Sequence, residues 1–488
     1  MPDESKRRER QMATGKSDRV VVPAKSGNSD GGKDATPARR SRRAPSALSG
    51  GLTVQTRLDR VARRARTHRT ERFNNLFHLL DVELMAECFE ELKEDRAPGV
   101  DGVTKEEYAD GLEHKLRDVV ERLHRRRYRP RPTRRKMIPK ANGKLRPLGI
   151  PTTEDKLVQR GLARVLERVY EEDFHPFSYG FRPGKGCHDA LKELSRNIGA
   201  KKAGYVVEAD IKGFFDNVVH DKLLEMLAHR VNDPGVLWLV RRLLRAGVMV
   251  EGKRLDTEKG TPQGGVISPL LANVYLHYVL DEWFVKAVQP QCRGEAYLVR
   301  YADDFVACFQ HEDDARRFHA DLPRRLGKFG LEVEPTKTRM LPFGRFARRD
   351  AERRGERVGV FDFLGFTHYC GLSRKGRFKL KWRTAKSRLR TKLRAMKDFI
   401  RANRTLPIRE LWSTVNRKLE GHYAYYAVSD NWPMLLAFRT STMWLLYKWL
   451  NRRSARKSFS PETYVAYVDR MKLAAPRRLV VNLNSAFV

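Results

Sequence analysis

The sequence lacks the features of a zinc-finger, membrane-spanning or secreted protein. Its five cysteines are scattered singly with no C-x-x-C pair, which argues against a cysteine-ligated zinc module and is typical of reduced thiols. No apolar run reaches the roughly eighteen residues that a membrane-spanning helix needs. The N-terminal segment MPDESKRRERQ has no apolar signal-peptide core. We therefore expect a cytoplasmic protein.

Acidic residues are scarce relative to basic ones. Lys and Arg total 98 against 60 Asp and Glu, which gives a formal net charge of +38 over 488 residues. A polyanion neutralises such an excess most naturally, and nucleic acid is the first candidate. An anionic membrane surface is the competing candidate, but we expect no membrane partner. The charge therefore favours a protein that binds nucleic acid.

The N-terminal segment is poor in aromatic residues. Residues 1–55 are rich in Ser, Gly, Pro, Lys and Arg, and such a composition cannot bury enough apolar surface to fold. Between Arg39 and Arg72 there are eleven Arg and two acids, which suits both a solvated tail and a phosphate-binding one. We predict a disordered basic tail over 1–55 and an N-terminal extension over 56–120. Apolar residues at helical spacing predict that the globular part begins near residue 70.

Between about residues 120 and 370, helical and strand patterns alternate, which predicts an α+β fold with an antiparallel sheet. The amphipathic segment KLVQRGLARVLERVYEEDF and the segment VISPLLANVYLHYVLDEWF, which follows a Gly-rich turn, predict helices, and AGYVVEADI predicts a short strand. Strand patterns fade after about residue 372. Residues 382–452 predict three helices, separated near 405–407 and 429–433.

Two adjacent carboxylates interrupt the apolar stretch LVRYADDFVACF. Asp303 and Asp304 fall where a hairpin would turn, and Asp is also an ordinary turn residue. A third acid, Asp210, ends the apolar strand of YVVEAD. Like charges that converge on one sheet edge repel unless a cation lies between them. Carboxylate oxygens suit Mg²⁺, and two such ions are a known device for in-line displacement at phosphorus.

Further blocks stand in a fixed order along the chain: IPKANGKLRPLGIPT, SYGFRPGKGCHDAL, ADIKGFFD, GTPQGGVISPLLANVYL, YADD, LEVEPTKT and FDFLGF. In sequence and order they resemble group II intron-encoded reverse transcriptases, also called maturases, over about residues 70–470. The resemblance implies a right-hand polymerase with fingers and palm over 121–368 and an all-α thumb/X domain over 380–470. A C-terminal tail would follow over 471–488.

The resemblance also implies roles for individual residues. Asp210, Asp303 and Asp304 match the catalytic ligands of two Mg²⁺ ions, and the carbonyl of Ile211 matches an additional ligand. Phe215 has the position of the aromatic steric gate that rejects a ribose 2′-hydroxyl. Phe214 competes for this role, because successive side chains in an extended segment face opposite ways. The expected nucleotide-binding residues are Lys140, Arg146, Phe215, Gln263 and Lys337, with Lys337 a possible general acid near the leaving group.

A strongly basic segment follows the palm motifs. From Arg374 to Arg404 there are fourteen Lys or Arg and one acid. Their roughly helical spacing predicts a stripe that follows a phosphate backbone. The predicted RNA-binding residues in this stripe are Arg383, Lys386, Arg390 and Arg394. For Arg182, in SYGFRPG, a template-phosphate contact and a structural ion pair are equally compatible with the sequence.

The function that the resemblance implies is RNA-directed DNA polymerisation, a nucleotidyltransferase reaction, together with assistance to intron splicing. The implied partners are group II intron RNA, an RNA template/DNA primer duplex and dNTPs, in a bacterial cytoplasm near the nucleoid. No Cys/His nuclease pattern is present, so we expect the nuclease-lacking bacterial type. Two alternatives remain: a reverse transcriptase domesticated for defence or repair, and a non-catalytic RNA-binding splicing factor. The intact set of site residues argues against the latter.

Overall fold

The computed structural model describes residues 53–139, 145–261, 264–453 and 458–483. The predicted tail up to residue 52, Lys140 and Gln263 lie outside the described residues. The helices are α1 Val54–Thr67, α2 Val82–Glu91, α3 Lys105–Ala109, α4 Leu112–His124, α5 Thr153–Asp173, α6 Cys187–Gly199, α7 Phe214–Asn217, α8 His220–Ala228, α9 Pro234–Leu244, α10 Ser268–Leu276, α11 Gln289–Gln291, α12 Glu312–Gly327, α13 Ala347–Arg353, α14 Lys386–Ala402, α15 Ile408–Tyr426, α16 Trp432–Leu450 and α17 Pro461–Arg470. The strands are β1 Thr133–Pro139, β2 Leu145–Ile150, β3 Tyr205–Asp210, β4 Val248–Val250, β5 Lys253–Leu255, β6 Ala296–Tyr301, β7 Asp304–Phe309, β8 Arg339–Pro342, β9 Val360–Phe363, β10 Phe366–Leu372 and β11 Phe378–Thr384. Among the helices in these ranges, none has the length and apolar character to cross a bilayer.

The first helix begins earlier than the sequence suggested. Helix α1 starts at Val54, where the Thr53 side chain accepts a hydrogen bond from the Thr56 amide and caps it. Leu58 and Ala65 are buried, and the helix packs along α5. The expectation that the globular part begins near residue 70 is therefore wrong. A few apolar residues on one face anchor this Arg-rich helix, although most of its surface is charged.

The central sheet is antiparallel, with strand order β6-β7-β3-β8. This confirms the predicted α+β class. Both faces of the sheet are buried: Phe305 and Ala307 pack into an N-terminal core, while Val306 and Cys308 pack into a C-terminal core. The N-terminal core includes Leu157, Leu239 and Leu271, and the C-terminal core includes Trp382, Leu411 and Leu435. Burial on both faces explains why the sequences of these strands are continuously apolar rather than alternating.

A second four-stranded sheet, with order β2-β1-β4-β5, lies N-terminal to the central one in sequence. Strands β1 and β2 pair antiparallel, with Ile138 opposite Arg146. Strand β1 also pairs in parallel with β4, through Thr133 and Val248. Strands β1 and β2 lie within the predicted fingers and palm region, and residues 140–144 between them lie outside the described residues.

The C-terminal part is helical, as predicted. Helices α14, α15 and α16 end and begin close to 405–407 and 429–433. The expectation that strands end near residue 372 is wrong, because β11 pairs with β10 over Phe378–Thr384. In this strand Leu380 and Trp382 are buried, while basic residues alternate with them and obscure the strand pattern.

The long helix predicted after the Gly-rich turn changes its winding part-way along. Helix α10 continues into two π-helical segments, His277–Asp281 and Phe284–Val288, and then into α11. π-helical turns are rare and are frequent at functional sites. Here the change in winding decides which side chains of this segment share a face.

Candidate active site

The register of the central sheet brings the predicted carboxylates together. Asp210, at the end of β3, lies directly opposite Asp304, at the start of β7. Side chains paired in this way have Cβ atoms about 4.5–5.5 Å apart. Asp303 occupies the turn between β6 and β7, next to Asp304. Asp210, Asp303 and Asp304 thus lie together at one end of the central strands, as the sequence predicted. We call this end of the sheet the carboxylate edge.

A lysine lies against these carboxylates. The Lys337 ammonium donates a hydrogen bond to Oδ2 of Asp210. This bond, with the nearby charges of Asp210, Asp304 and Glu334, raises the pKa of Lys337 above its usual value. The Glu334 amide donates to the Asp210 carbonyl at 2.8 Å, which holds the PTKT turn against β3. The site is therefore acidic enough to attract positive charge, and Lys337 stays protonated there at neutral pH.

The backbone after Asp210 continues toward the same edge. Ile211 forms an isolated antiparallel bridge with Val333. The bonds of this bridge run from the Lys212 amide to the Glu332 carbonyl and from the Glu334 amide to the Asp210 carbonyl. The bridge therefore does not use the Ile211 carbonyl, in keeping with its predicted role as a ligand.

The turn that carries Asp303 is supported from beneath by a buried ion pair. Ala302 has φ 58°, a left-handed conformation that costs a non-glycine residue about 1–2 kcal/mol. Arg300, fully buried, donates to the Ala302 carbonyl at 3.1 Å and to the Asp281 carboxylate at 2.8 and 2.5 Å. It also donates to Oδ1 of Asn273 at 3.0 Å. The turn is thus held by charged hydrogen bonds that the low-dielectric surroundings strengthen.

The SYGFRPG segment braces the same turn. A Cβ on Gly180 would lie 2.3 Å from the Ala302 amide nitrogen, so only glycine allows this close approach. The Gly180 carbonyl accepts from the Asn273 side chain at 2.7 Å. Arg182 is buried, pairs with the Glu171 carboxylate at 3.0 Å and donates to three backbone carbonyls. Of the two interpretations of Arg182, the structure supports the structural ion pair.

The two candidate gate residues lie in the short helix α7 rather than in an extended segment. The alternation argument for choosing between Phe214 and Phe215 is therefore wrong, although neighbours in a helix still point about 100° apart. Phe214 is 2% exposed and contacts Tyr275. Phe215 is 9% exposed, and its carbonyl accepts from the Thr261 amide at 2.7 Å. Both rings are thus buried, with Phe215 slightly the more exposed of the two.

The Gly-rich turn after Thr261 passes close to the strand that carries Arg146. Gly264 has φ 112°, and a Cβ there would lie 2.5 Å from the Gly149 carbonyl of β2. The Val266 amide donates to the Gln159 side chain at 2.8 Å. Arg146 itself is exposed on β2. The residues around this turn therefore connect the β2 hairpin to α7, while Lys140 and Gln263 lie outside the described residues.

Comparison with known families adds to this geometry. Residues 138–368 match the family described as reverse transcriptase (RNA-dependent DNA polymerase). This part of the chain is a reverse transcriptase domain. The matched residues contain all three carboxylates, strand β2 and the Gly-rich turn.

Several proteins similar to this chain have names that refer to introns. The group II intron-encoded protein LtrA of Lactococcus lactis subsp. cremoris is 38% identical over 223 residues, which is 45% of this chain and 37% of that protein. Protein YkfC of Escherichia coli K12 is 37% identical over 237 residues, 43% of this chain and 62% of that protein. Nuclear intron maturase 4 of Arabidopsis thaliana mitochondria is 29% identical over 148 residues, 30% of this chain and 18% of that protein. The resemblance to group II intron proteins is thereby confirmed, although the chain spans less than two thirds of each relative's length.

The reverse transcriptase family that residues 138–368 match implies a divalent metal, generally Mg²⁺. The residues fit this requirement. Asp210, Asp303 and Asp304 offer only oxygen donors, which Mg²⁺ prefers. Asp210 already bonds the Lys337 cation, so the carboxylate edge stabilises positive charge.

The FDFLGF segment of the reverse transcriptase forms the hairpin between β9 and β10. Leu364 and Gly365 both have positive φ, the pattern of a type I′ turn. The three phenylalanine rings of the segment are buried, so they serve packing. The Tyr425 hydroxyl donates to the Leu364 carbonyl at 2.7 Å, which connects α15 to this hairpin.

The predicted RNA-binding residues divide between two elements. Lys386, Arg390 and Arg394 are exposed on α14. Arg383 lies on β11, and its guanidinium is 5.4 Å from the centre of the Tyr369 ring. The expectation that Arg383 starts a helical stripe is therefore wrong, because α14 begins at Lys386.

The residues that support the carboxylate turn were not predicted. Asp281 and Asn273 come from the long helix, and Arg300 from the strand before the turn. The sequence held a signal for them. A charged residue inside the apolar run LVRY needs a buried partner, and an acid in an apolar helix can supply it.

Proposed function

We propose that the chain is an RNA-directed DNA polymerase that copies group II intron RNA into cDNA and assists the splicing of that intron. The observation that carries the proposal is the placement of Asp210 opposite Asp304, with Asp303 in the adjoining turn. The reverse transcriptase match and the intron-encoded relatives support it. We further propose that it acts in the bacterial cytoplasm, beside the nucleoid.

In this proposal, two Mg²⁺ ions would be held by Asp210, Asp303, Asp304 and the Ile211 carbonyl. When bound, they would supply activation of the primer hydroxyl and charge neutralisation on the leaving pyrophosphate. Lys140 and Arg146 bind the triphosphate, and arginine suits this because its planar guanidinium pairs phosphate oxygens bidentately. Gln263 contacts the nascent base pair. Lys337, kept protonated beside Asp210, is the proposed proton donor toward the leaving group.

Primer extension tests the polymerase proposal directly. The full chain is incubated with a DNA primer annealed to an RNA template, dNTPs and Mg²⁺, and the products are sized on a gel. Extension that stops on chelation of Mg²⁺ is expected. A folded chain that binds the duplex but adds no nucleotide would contradict the polymerase assignment.

The sugar preference should depend on Phe215. Replacing Phe215 by Val shortens the proposed gate while limiting the cavity that Ala would leave. Ribonucleotide incorporation relative to deoxyribonucleotide is expected to rise at least about tenfold, measured as the ratio of kcat/KM values. Phe214→Val is the matched control, since it removes the same atoms from the neighbouring ring. A changed ratio in the control with an unchanged ratio in Phe215→Val would assign the gate to Phe214.

RNA affinity should depend on the exposed basic face of α14. Replacing Lys386, Arg390 and Arg394 by Gln should flatten the slope of log affinity against log salt by about 0.7–0.9 per lost phosphate contact. A second variant adds Arg383→Gln. Arg348, Arg353 and Arg354 on and beside α13, replaced by Gln, provide a control with the same loss of charge.

The same variants separate splicing from polymerisation. In a splicing assay on the cognate intron at low Mg²⁺, the α14 variants should splice less, while an Asp303→Ala/Asp304→Ala variant should splice almost as the wild type does. Splicing unchanged by the loss of the α14 charges would remove α14 from the RNA interface. Failure of the wild type to assist any intron beside its gene would favour the domesticated reverse transcriptase.

A further inference from the structure

A group of metal-ligating side chains lies outside the carboxylate site. His175, in the loop after α5, and His277 and Glu282, in the π-helical part of the long helix, have side-chain donor atoms within 4.8 Å of one another. Nε2 of His175 is 2.8 Å from Oε1 of Glu282, and Nε2 of His277 is 4.0 Å from the same oxygen. Two imidazoles and one carboxylate from two separate segments thus face a common point.

The π-helical winding creates this arrangement. In an α-helix, residues five apart point about 140° away from each other, because each residue turns the helix by about 100°. Here the Glu282 amide donates to the His277 carbonyl, which is the i to i+5 bond of a π-turn. Glu282 is therefore brought onto the face of the helix that carries His277.

The distances between the donor atoms of these side chains suit a small transition-metal ion. With metal–ligand bonds of about 2.0–2.2 Å and tetrahedral angles, donor atoms lie roughly 3.3 Å apart. The observed separations of 2.8 and 4.0 Å lie on either side of that value. His175 and Glu282 are about one-fifth exposed at their side chains, so solvent and an ion can reach the site.

His277 is the least satisfied member of the group. It is 4% exposed, and its Nδ1 is buried with no hydrogen-bond partner among the described residues. Its Nε2, turned toward Glu282, lies beyond hydrogen-bond distance from that carboxylate. Burial lowers the pKa of His277 to about 4, so the ring is neutral at physiological pH and can offer a lone pair.

The other two ligands are held in place. The His175 carbonyl accepts from Arg182 at 2.8 Å, and the His175 ring stacks on Phe177. Lys286 forms an ion pair with the Glu282 carboxylate and would have to move if a cation replaced it. A mixed nitrogen and oxygen donor set favours Zn²⁺ over Mg²⁺, which takes oxygen ligands.

We propose that His175, His277 and Glu282 bind one Zn²⁺ ion, with water at the fourth position, and thereby fasten the loop after α5 to the long helix. The site stands apart from the carboxylates proposed for catalysis. It adjoins the residues that support them, because Glu282 follows Asp281, the partner of Arg300. The ion would stiffen the support beneath the Asp303 turn without taking part in nucleotide addition.

Cobalt substitution tests the proposal on the untagged full chain. Asp303→Ala/Asp304→Ala serves as the background, so that the catalytic carboxylates do not contribute a signal. We expect one equivalent of Co²⁺ to bind with the intense visible absorption of a tetrahedral site. Zn²⁺ should displace it, and a large excess of Mg²⁺ should not.

Ligand variants then locate the ion. His175→Gln and Glu282→Gln should each weaken Zn²⁺ binding by at least about tenfold in a competition titration. His188→Gln is the matched control, since His188 is also half-buried and hydrogen-bonded, to the Tyr425 carbonyl at 2.8 Å. Circular dichroism checks that each variant is folded.

Three results would overturn the inference: no Zn²⁺ bound by the background chain, Co²⁺ bound without tetrahedral absorption, or affinity unchanged in both ligand variants. The first two results are obtained on the background chain and do not depend on how the ligand variants fold. None of these measurements uses polymerase activity, so a failure here is distinguishable from a failure of the proposed function.

Discussion

Simultaneous replacement of Asp303 and Asp304 by alanine is expected to lower Mg²⁺-dependent DNA synthesis by at least about a thousandfold. The change leaves Asp210 alone at the sheet edge, opposite an alanine and beside Lys337. One carboxylate cannot hold two divalent ions against the competing ammonium. Primer extension in the steady state, with RNA binding measured in parallel, gives the comparison.

The control for this variant must also lose two negative charges. Asp350→Ala/Glu352→Ala on the short helix α13 does so, because Glu352 is exposed and Asp350 is partly exposed. This control should extend primers at close to the wild-type rate. Both doubly substituted chains should bind RNA at least as tightly as the wild type, since the lost charges are negative. Full-length cDNA from the folded Asp303/Asp304 variant would remove these residues from the catalytic set.

Replacing Arg300 by Leu should destabilise the protein by about 3–5 kcal/mol, since it leaves the Asp281 carboxylate buried without its partner. It also removes the bond to the Ala302 carbonyl, so any folded protein should polymerise poorly. Urea denaturation at neutral pH measures the first effect, and primer extension at a temperature where the variant is folded measures the second.

A second substitution separates the two effects. Arg300→Leu/Asp281→Leu removes both charges, so much of the stability should return. Activity should stay low, because nothing replaces the bond to the Ala302 carbonyl. Arg339→Ala is the comparison for an ordinary pair: Arg339 contacts Glu208 but is half exposed, so its loss should cost about 0–1 kcal/mol. If Arg300→Leu destabilised the protein no more than Arg339→Ala does, the buried ion pair would not support the turn.

The convergence of the three carboxylates could be predicted because local patterns determine it. Each acid ends or turns an apolar strand, and in antiparallel pairing such positions meet at one edge. The breaks between α14, α15 and α16 were also predictable, since Pro407 and Asp430 lie in turn-forming segments. In both cases the deciding residues are neighbours in sequence.

Other features depend on contacts that the sequence does not display. Asp281 and Arg300 are 19 residues apart, and nothing local tells which acid a buried arginine will find. Lys337 reaches Asp210 across 127 residues. The π-helical winding begins after Leu276 and determines the position of Glu282. Strand β11 was missed because its outward-facing residues are basic, like those of the helix that follows.

Because the central sheet is buried on both faces, its apolar side chains alone do not determine the register of β6. The Arg300–Asp281 ion pair does. In β6, Leu298 enters one core and Val299 the other, so sliding the strand by one residue would exchange one aliphatic side chain for another at little cost. The same slip would carry Arg300 to the opposite face, away from Asp281, and leave two lone charges in apolar surroundings. The ion pair therefore creates an energy gap between the native strand register and registers shifted by one residue, and it makes the native register the favoured one.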